Sequence, residues 1–441
     1  MVNHNPESKR YRSFVLAVLT LVYGFNFIDR QIVGILAPFI QADLNLTNTQ
    51  LGLLIGFYFA LFYTIVAIPI AWLADRYNRV NIISIALATW SGFTALTGLA
   101  TNFTQIGLAR MGVGIGEAGG SPPSHSIISD IYAKEERASA LGIYSMGIPF
   151  GIMAAYFAAA SLIGSDHNDV NWRATFIYLG VTGIILALFV RLLIREPVRG
   201  AMEFKAAPKF SQPPFLTSLA VLFTIPSWWA MCLGIAFGSF VSYSFSAFQT
   251  KFLISLDPTF NFKTAIIVLG IINGTTYASG SFLGAKIADK LGKTTVRAYG
   301  WIPAVAITIS MPIAITSFWV SNVWHHLGLA TFFLFFIGMY LGPSFAVAQT
   351  LAPINMRAMS TALFFFILNM IALGGGPSFT GWLIDFFAVD NNDLMSIRYA
   401  MTATCFMFIP SIISFVIVSR VLPRDWITAT KRNSDLVEKN S

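Results

Sequence analysis

Apolar runs of about 20 residues recur along the whole chain, and each is long enough to cross a hydrocarbon core of about 30 Å as a helix. The pattern predicts twelve spans, near 13–40, 48–73, 82–101, 104–130, 138–163, 172–194, 227–253, 263–288, 295–317, 322–350, 358–386 and 396–420. The runs are too long and too continuous for membrane strands, which alternate at every second residue. The expected fold class is therefore all-α integral membrane. One polar interval, 195–226, is longer than the others and carries Pro197, Pro208, Pro213 and Pro214 among basic residues. It divides the chain into an N-terminal six-helix bundle (1–194), a cytoplasmic linker (195–226), a C-terminal six-helix bundle (227–420) and a cytoplasmic tail (421–441).

Composition agrees. The 441 residues are 56% hydrophobic and 11% charged, with a mean hydropathy of +0.68, a balance outside the range of soluble domains. The first apolar run leads directly into Asp29 and Arg30 with no small-residue cleavage site, so it is expected to stay as a span. Cys232 and Cys405 stand alone in apolar segments and suggest neither a disulfide framework nor a metal site. The net charge of +8 is distributed unevenly. Of the 28 lysines and arginines, 22 fall in segments that are cytoplasmic if the N-terminus is inside, and only Arg173, Lys251, Lys263 and Arg398 fall in outer loops. Both termini are therefore expected on the cytoplasmic side of the cell (inner) membrane, and the basic balance needs no nucleic acid to explain it. Arg30 and Arg110 are left inside spans.

The two halves echo each other. Ala71-Trp72-Leu73-Ala74-Asp75-Arg76-Tyr77-Asn78-Arg79 follows the second span. Ala285-Lys286-Ile287-Ala288-Asp289-Lys290-Leu291-Gly292-Lys293 follows the eighth. Arg137-Ala138-Ser139-Ala140-Leu141 precedes the fifth span, and Arg357-Ala358-Met359-Ser360-Thr361-Ala362-Leu363 precedes the eleventh. Glycine–proline clusters at Gly147–Gly151 and Gly374–Pro377 sit in the same two spans. Three matches in the same order point to a duplicated unit, and the prolines are expected to bend their spans.

The fourth span concentrates the candidate chemistry. It reads Arg110-Met111-Gly112-Val113-Gly114-Ile115-Gly116-Glu117-Ala118-Gly119-Gly120. Seven residues separate Arg110 from Glu117, which returns a helix to within about 20° of the same face. Gly114 and Ser121 continue that face and are expected to leave room around the charges. Gly112, Gly116 and Gly120 form a small-residue stripe suited to close helix packing. An ionisable group at bilayer depth costs about 2.5–3.5 kcal/mol on the insertion scale, so each charge needs a partner or a use. In the first span Asp29 and Arg30 point about 100° apart, with Asn26 within a turn of both. On a structural reading, Asp29 pairs with Arg110 or Arg30 and pins the first span to the fourth. On a functional reading, Asp29 and Glu117 compete for Arg110, one of them takes up a proton, and Arg110 with Arg30 holds an anionic head group.

Spans seven to twelve carry no ionisable residue near mid-membrane but are rich in aromatics, among them Phe237 and Tyr243, with Asn369 as a polar candidate. Charge on one half and apolar surface on the other would suit an amphiphile. Asn273, Tyr340, Gln349 and Asn369 would serve a compact polar substrate instead. His125, after Pro122 and Pro123, could respond to protons or simply be hydrogen-bonded within the helix. There is no phosphate-cradling loop, so ATP is not the expected energy source. The buried polar residues show no His/Cys/Asp cluster at ligand spacing, which argues against a membrane-embedded lipid enzyme, and no cofactor is expected.

The Asp75 and Asp289 loops resemble the motif between the second and third helices of the major facilitator superfamily, with Ala71, Ala285 and Asn78 standing where glycine is usual. The resemblance implies two pseudo-symmetric six-helix bundles that alternate access to a midplane site. It also implies a cytoplasmic gate from Asp75, Arg76 and Arg79, with Asp130 and Arg137 as partners and Asp289 in a mirrored role. Asn26-Phe27-Ile28-Asp29-Arg30, Gly114-Ile115-Gly116-Glu117-Ala118 and Ile127-Ile128-Ser129-Asp130 resemble the Spinster family within that superfamily. This implies a monomeric, proton-coupled transporter of a lysophospholipid or sphingosine phosphate, with Asp29 and Glu117 coupling protons and Arg110, Arg30, Asn26, Ser121, Phe237, Tyr243 and Asn369 binding substrate. The anion–cation symporters share the Asp-Arg pair and the Gly-x-Glu-Ala stretch, so a sugar acid or other small organic anion is the alternative. A passive scramblase or a receptor stands behind both.

Overall fold

The computed structural model describes residues 8–74, 76–162, 170–198, 215–353, 356–388 and 392–438. Asp75 and residues 199–214 of the expected linker lie outside them. The described residues are helical throughout the apolar runs and group into two compact units, Met1–Ala206 with Thr259–Ile271, and Ala207–Pro258 with Ile272–Ser441.

In the first unit, α1 (Lys9–Leu44) is capped by Ser8, whose hydroxyl accepts from Tyr11 N, and ends at Asn45 in the left-handed region. The second span is α2 (Asn48–Ile55) continued by α3 (Phe57–Ala74). Then come α4 (Arg79–Leu99), α5 (Phe103–Glu117), α6 (Ser121–Ile131), α7 (Lys134–Ser145), α8 (Gly147–Leu162) and α9 (Trp172–Leu193). The second unit contains α10 (Phe215–Phe223), α11 (Pro226–Leu256), most of α12 (Phe262–Gly292), α13 (Ala298–Trp319), α14 (Val323–Gly338), α15 (Leu341–Leu351), α16 (Arg357–Leu368), α17 (Gly376–Phe386), α18 (Asp393–Cys405) and α19 (Phe408–Glu438).

Eleven continuous or nearly continuous helical stretches among the described residues are long and apolar enough to cross a membrane. The twelfth, the expected fourth span, is broken into α5 and α6. Pro122 and Pro123 lack the N–H groups that would bond Ala118 and Gly119 carbonyls. The chain turns instead through Gly119 N to Gly116 O at 3.0 Å and Gly120 N to Glu117 O at 3.1 Å. Ser121 therefore opens a new helix rather than continuing the Arg110–Glu117 face. Gly114 also corrects its expectation. A Cβ there would lie 2.7 Å from Phe59 O, so this glycine brings α5 against α3 and leaves no room beside the charges. Gly338 does the same in the second unit, where a Cβ would lie 2.5 Å from Tyr277 O. The duplication thus extends to backbone contacts.

A second repeated device explains two outer arginines. Arg173 donates to Ala100 O at 2.9 Å, and Arg398 donates to Phe318 O and Val320 O, each at 2.8 Å. Both guanidinium groups satisfy orphan carbonyls at the C-terminal ends of α4 and α13. α19 runs on past the twelfth span through Pro423 to Glu438. Asp425 accepts from Ser227 N at 2.9 Å and Ser227 Oγ at 2.6 Å, capping the start of α11.

α1 meets α8 through glycines, and a Cβ on Gly151 would sit 2.3 Å from Gly24 O. Gly151→Val should therefore cost about 1–3 kcal/mol by overpacking, the typical range for such changes. A reduced monodisperse yield on size exclusion in detergent would register that loss, and a wild-type yield would contradict the contact. Large side chains such as Ile185, Leu188 and Leu192 are exposed on the outer face of α9, as lipid-facing positions require.

Candidate functional site

Four charged side chains from α1 and α5 are gathered inside the first unit. Glu117, the last residue of α5, is fully buried, and its Oε2 accepts from Arg30 Nε at 2.7 Å. The Arg30 guanidinium is surrounded by rings: Tyr63 at 4.6 Å, Phe59 at 5.0 Å and Phe27 at 5.1 Å from its carbon to the ring centroids. Cation–π attraction of this kind is worth about 0.5–2 kcal/mol per ring, more where water is excluded. Arg110, 2% exposed, stands over the same Phe59 ring at 5.3 Å.

The pairing differs from both sequence readings. Glu117 joins Arg30, not Arg110, and Asp29 is within ion-pair distance of neither arginine among the described residues. The reason is helical geometry. Arg30 diverges from its neighbour Asp29 and meets α5 at the point where that helix ends. Asp29, 1% exposed, lies beside Trp90 and Thr94 of α4, with Glu117 and Arg110 as its charged neighbours. Arg110 Nε has no hydrogen-bond partner among the described residues. Two acids and two guanidinium groups make the cluster formally neutral, yet only one of the two possible pairs is formed.

Ser121 begins α6 beside the buried Tyr144, whose ring stacks on Tyr23 at 4.5 Å and meets His125 edge-on at 5.2 Å. The remaining candidates belong to the second unit. Phe237 and Tyr243 are half-buried on α11. Tyr243 neighbours Tyr277 and Tyr340, and the Tyr340 hydroxyl lies 2.7 Å from Ser239 Oγ. Asn369 is buried and opens a π-helical turn, Asn369–Gly375, between α16 and α17. Such turns often mark functional positions.

The expected gate residues separate by role. Arg79 is 1% exposed. Its guanidinium pairs with Asp130, donates to Glu196 Oε1 and Ser126 Oγ at 2.7 Å each, and donates to Pro197 O at 3.0 Å. Every one of these partners is in the first unit, so the described contacts of Arg79 tie α4 to α6 and to the segment after α9. Arg76, just beyond α3, lies over Trp72 at 3.9 Å and is exposed. Arg137 donates to Ser129 O at 2.7 Å. Asp289 accepts from Tyr299 at 2.9 Å.

Sequence reasoning missed Tyr63, Phe59, Trp90 and Thr94. The only available signal was the Phe27–Arg30 spacing, which places a ring one turn from the cation.

The fold and these charges can be set beside known proteins. Residues 19–377 match the Major Facilitator Superfamily. A crystal structure of a bacterial homologue of the human lysosomal transporter Spinster, in an inward-facing and unoccupied conformation, has a TM-score of 0.86 with this chain. It is 31% identical and covers 95% of this chain and 99% of that one. An MFS-type efflux pump of Mycolicibacterium smegmatis is 29% identical over 380 residues, 84% of each chain. A probable L-galactonate transporter of Escherichia coli is 25% identical over 406 residues, 87% of this chain and 86% of the relative. A duplicated bundle of twelve spans with buried charge in its first half is thus found where transporters, rather than enzymes, are its relatives. The chain belongs to the major facilitator superfamily of multi-pass membrane transporters and, within it, resembles the Spinster transporters.

Proposed function

We propose that the protein is a secondary transporter that couples proton movement to the passage of an amphipathic anion, a lysophospholipid or a sphingosine phosphate. In this reading it sits in the inner membrane with both termini cytoplasmic, as the lysine and arginine distribution supports. The observation that carries the reading is the charge balance of the buried cluster. Two acids and two arginines sum to zero, with Glu117 and Arg30 paired and Arg110 left without an ion-pair partner among the described residues. A singly charged head group on Arg110 would leave the cluster at −1 in a medium where uncompensated charge is costly. One proton on a carboxyl group restores neutrality. Anion and proton therefore enter and leave together, and a zwitterionic head group would need no proton. Arg110 presents a fork suited to phosphate or carboxylate, and the ring cage of Phe27, Phe59 and Tyr63 gives the site apolar walls.

A sugar acid would offer the same anionic chemistry, and the similarity to a probable galactonate transporter favours testing it in parallel. Purified protein should be stabilised on heating by lysophosphatidate more than by lysophosphatidylcholine or galactonate. Arg110→Gln should weaken lysophosphatidate binding about 10–100-fold, the loss of one charge-assisted hydrogen-bond pair at about 1.5–3 kcal/mol. Stabilisation by galactonate with none from lysolipids would transfer the assignment to the small-anion class.

A further inference from the structure

The segment that follows the last span of each unit makes the same three connections with different chemistry. In the first unit that segment is Arg195-Glu196-Pro197, just beyond α9. Arg195 N donates to the Tyr11 hydroxyl at 2.8 Å, at the start of α1. Glu196 accepts from Val80 N at 3.0 Å and caps the start of α4. Through Arg79, Glu196 and the Pro197 carbonyl are joined to Asp130, at the end of α6. In the second unit the corresponding segment is the extension of α19. Asp425 accepts from Ser227 N and Oγ, at the start of α11. The Trp426 ring stacks on Tyr299, at the start of α13, with centroids 5.7 Å and planes 18° apart. Arg432 donates to Leu351 O, an orphan carbonyl at the end of α15. Under the duplication α1, α4 and α6 correspond to α11, α13 and α15. The acid of the extension meets the positive end of one helix and its guanidinium the negative end of another, so its charges match the dipoles they face.

We propose that residues Asp425–Arg432 form a releasable strap that holds the adjoining ends of α11, α13 and α15 as one body. The first-unit counterpart is locked, because Arg79 is 1% exposed and engaged through three nitrogens. The described contacts of the strap include no buried ion pair. Asp425, Trp426 and Arg432 are each half-buried, so water competes for all three. Between Asp425 and Arg432 only Ala429 is fully buried, while Ile427, Thr428 and Lys431 are exposed, so little apolar surface holds the strap down. The strap also reaches the mirrored gate candidate. The Tyr299 hydroxyl donates to Asp289 at 2.9 Å, and a Cβ on Gly292 would lie 2.7 Å from the Tyr299 ring, so that ring sits between the end of α12 and Trp426. Trp426 is therefore a positioning residue for Asp289 and acts through Tyr299. Release frees the start of α11, the end of α15 and Asp289 together. It needs no particular substrate and no proton, so it stands or falls separately from the proton-coupled reading.

Two native cysteines report on release. Cys232 is buried on α11, shortly after Ser227, and Cys405 is buried at the end of α18 and serves as the internal control. Full-length wild type, Asp425→Ala, Trp426→Ala, Trp426→Phe and Arg432→Gln are treated in detergent with N-ethylmaleimide at one pH, and the labelling rate of each cysteine is read by mass spectrometry. Asp425→Ala and Trp426→Ala should label Cys232 about fivefold faster, the effect of losing one helix cap or one ring contact, with Cys405 unchanged. Trp426→Phe keeps a ring over Tyr299 and should stay near wild type. Arg432→Gln is decisive. Arg432 contacts α15 and not α11, yet a strap that lifts as one piece exposes Cys232 all the same. This variant changes a half-buried side chain and decides the matter even where Trp426→Ala fails to fold. Wild-type labelling of Cys232 in Arg432→Gln would reveal separate local contacts and would overturn the proposal. Faster labelling of both cysteines together would mean general loosening and would overturn it too.

Discussion

Glu117→Gln is expected to abolish pH-driven accumulation while substrate binding persists and tightens. The substitution keeps an oxygen that can accept from Arg30, so the ring cage and the α1–α5 contact survive at the level of a neutral hydrogen bond. What changes is the charge. The cluster passes from neutral to +1, so an anionic head group is held without a proton. At a separation of a few ångströms one charge interacts at about 4 kcal/mol for an effective dielectric near 20. Even a third of that tightens binding about tenfold. Binding measured at several pH values should then lose its pH dependence, and release should become the slow step. Wild-type accumulation by Glu117→Gln, with its pH dependence intact, would remove this residue from the coupling mechanism.

The second large effect is on stability. Arg79 uses three nitrogens at once, on Asp130, Glu196, Ser126 and the Pro197 carbonyl, with 1% of its surface exposed. Arg79→Ala takes the guanidinium away from Asp130 and Glu196, and breaking a buried pair from one side costs about 3–5 kcal/mol. Glu196 also accepts from Val80 N at 3.0 Å, so part of its interaction remains, and the lower end of that range applies. Arg79→Lys should recover little, because an ammonium group cannot reproduce a planar fork engaged on three sides. Thermal unfolding in detergent measures both. Arg76→Ala is the control. Its described side-chain contacts are the carbonyl and the ring of Trp72, and it should shift stability by no more than about 0.5 kcal/mol. Equal melting of Arg79→Ala and wild type would contradict the network.

The spans were legible because a bilayer demands one periodicity and one length, and the chain meets that demand almost everywhere. Where it does not, the cause is local. Pro122 and Pro123 remove two donors, and the fourth span divides into α5 and α6 at the residue that carries the acid. The four buried charges were also legible, since Asp29, Arg30, Arg110 and Glu117 are costly in apolar runs and stand out for that reason. Their pairing was not. It depends on which side of α1 meets α5: Arg110 and Glu117 share one continuous helix, and a helical wheel that puts them on one face does not show that Arg30 reaches Glu117. The ring cage was hidden for another reason. α3 is apolar on every side, so nothing along it distinguishes Phe59 and Tyr63 from lipid-facing neighbours. Arg79 shows the reverse case. The loop motif singled Arg79 out, but only the fold reveals that its described partners lie within its own unit.

The measurement that tests the central claim most directly is transport by wild-type protein in liposomes under an imposed pH gradient, with labelled lysophosphatidate and labelled galactonate run side by side. The account predicts gradient-driven accumulation of the lysolipid, abolished when the gradient is collapsed. Accumulation of galactonate alone, or lysolipid movement indifferent to the gradient, would contradict it.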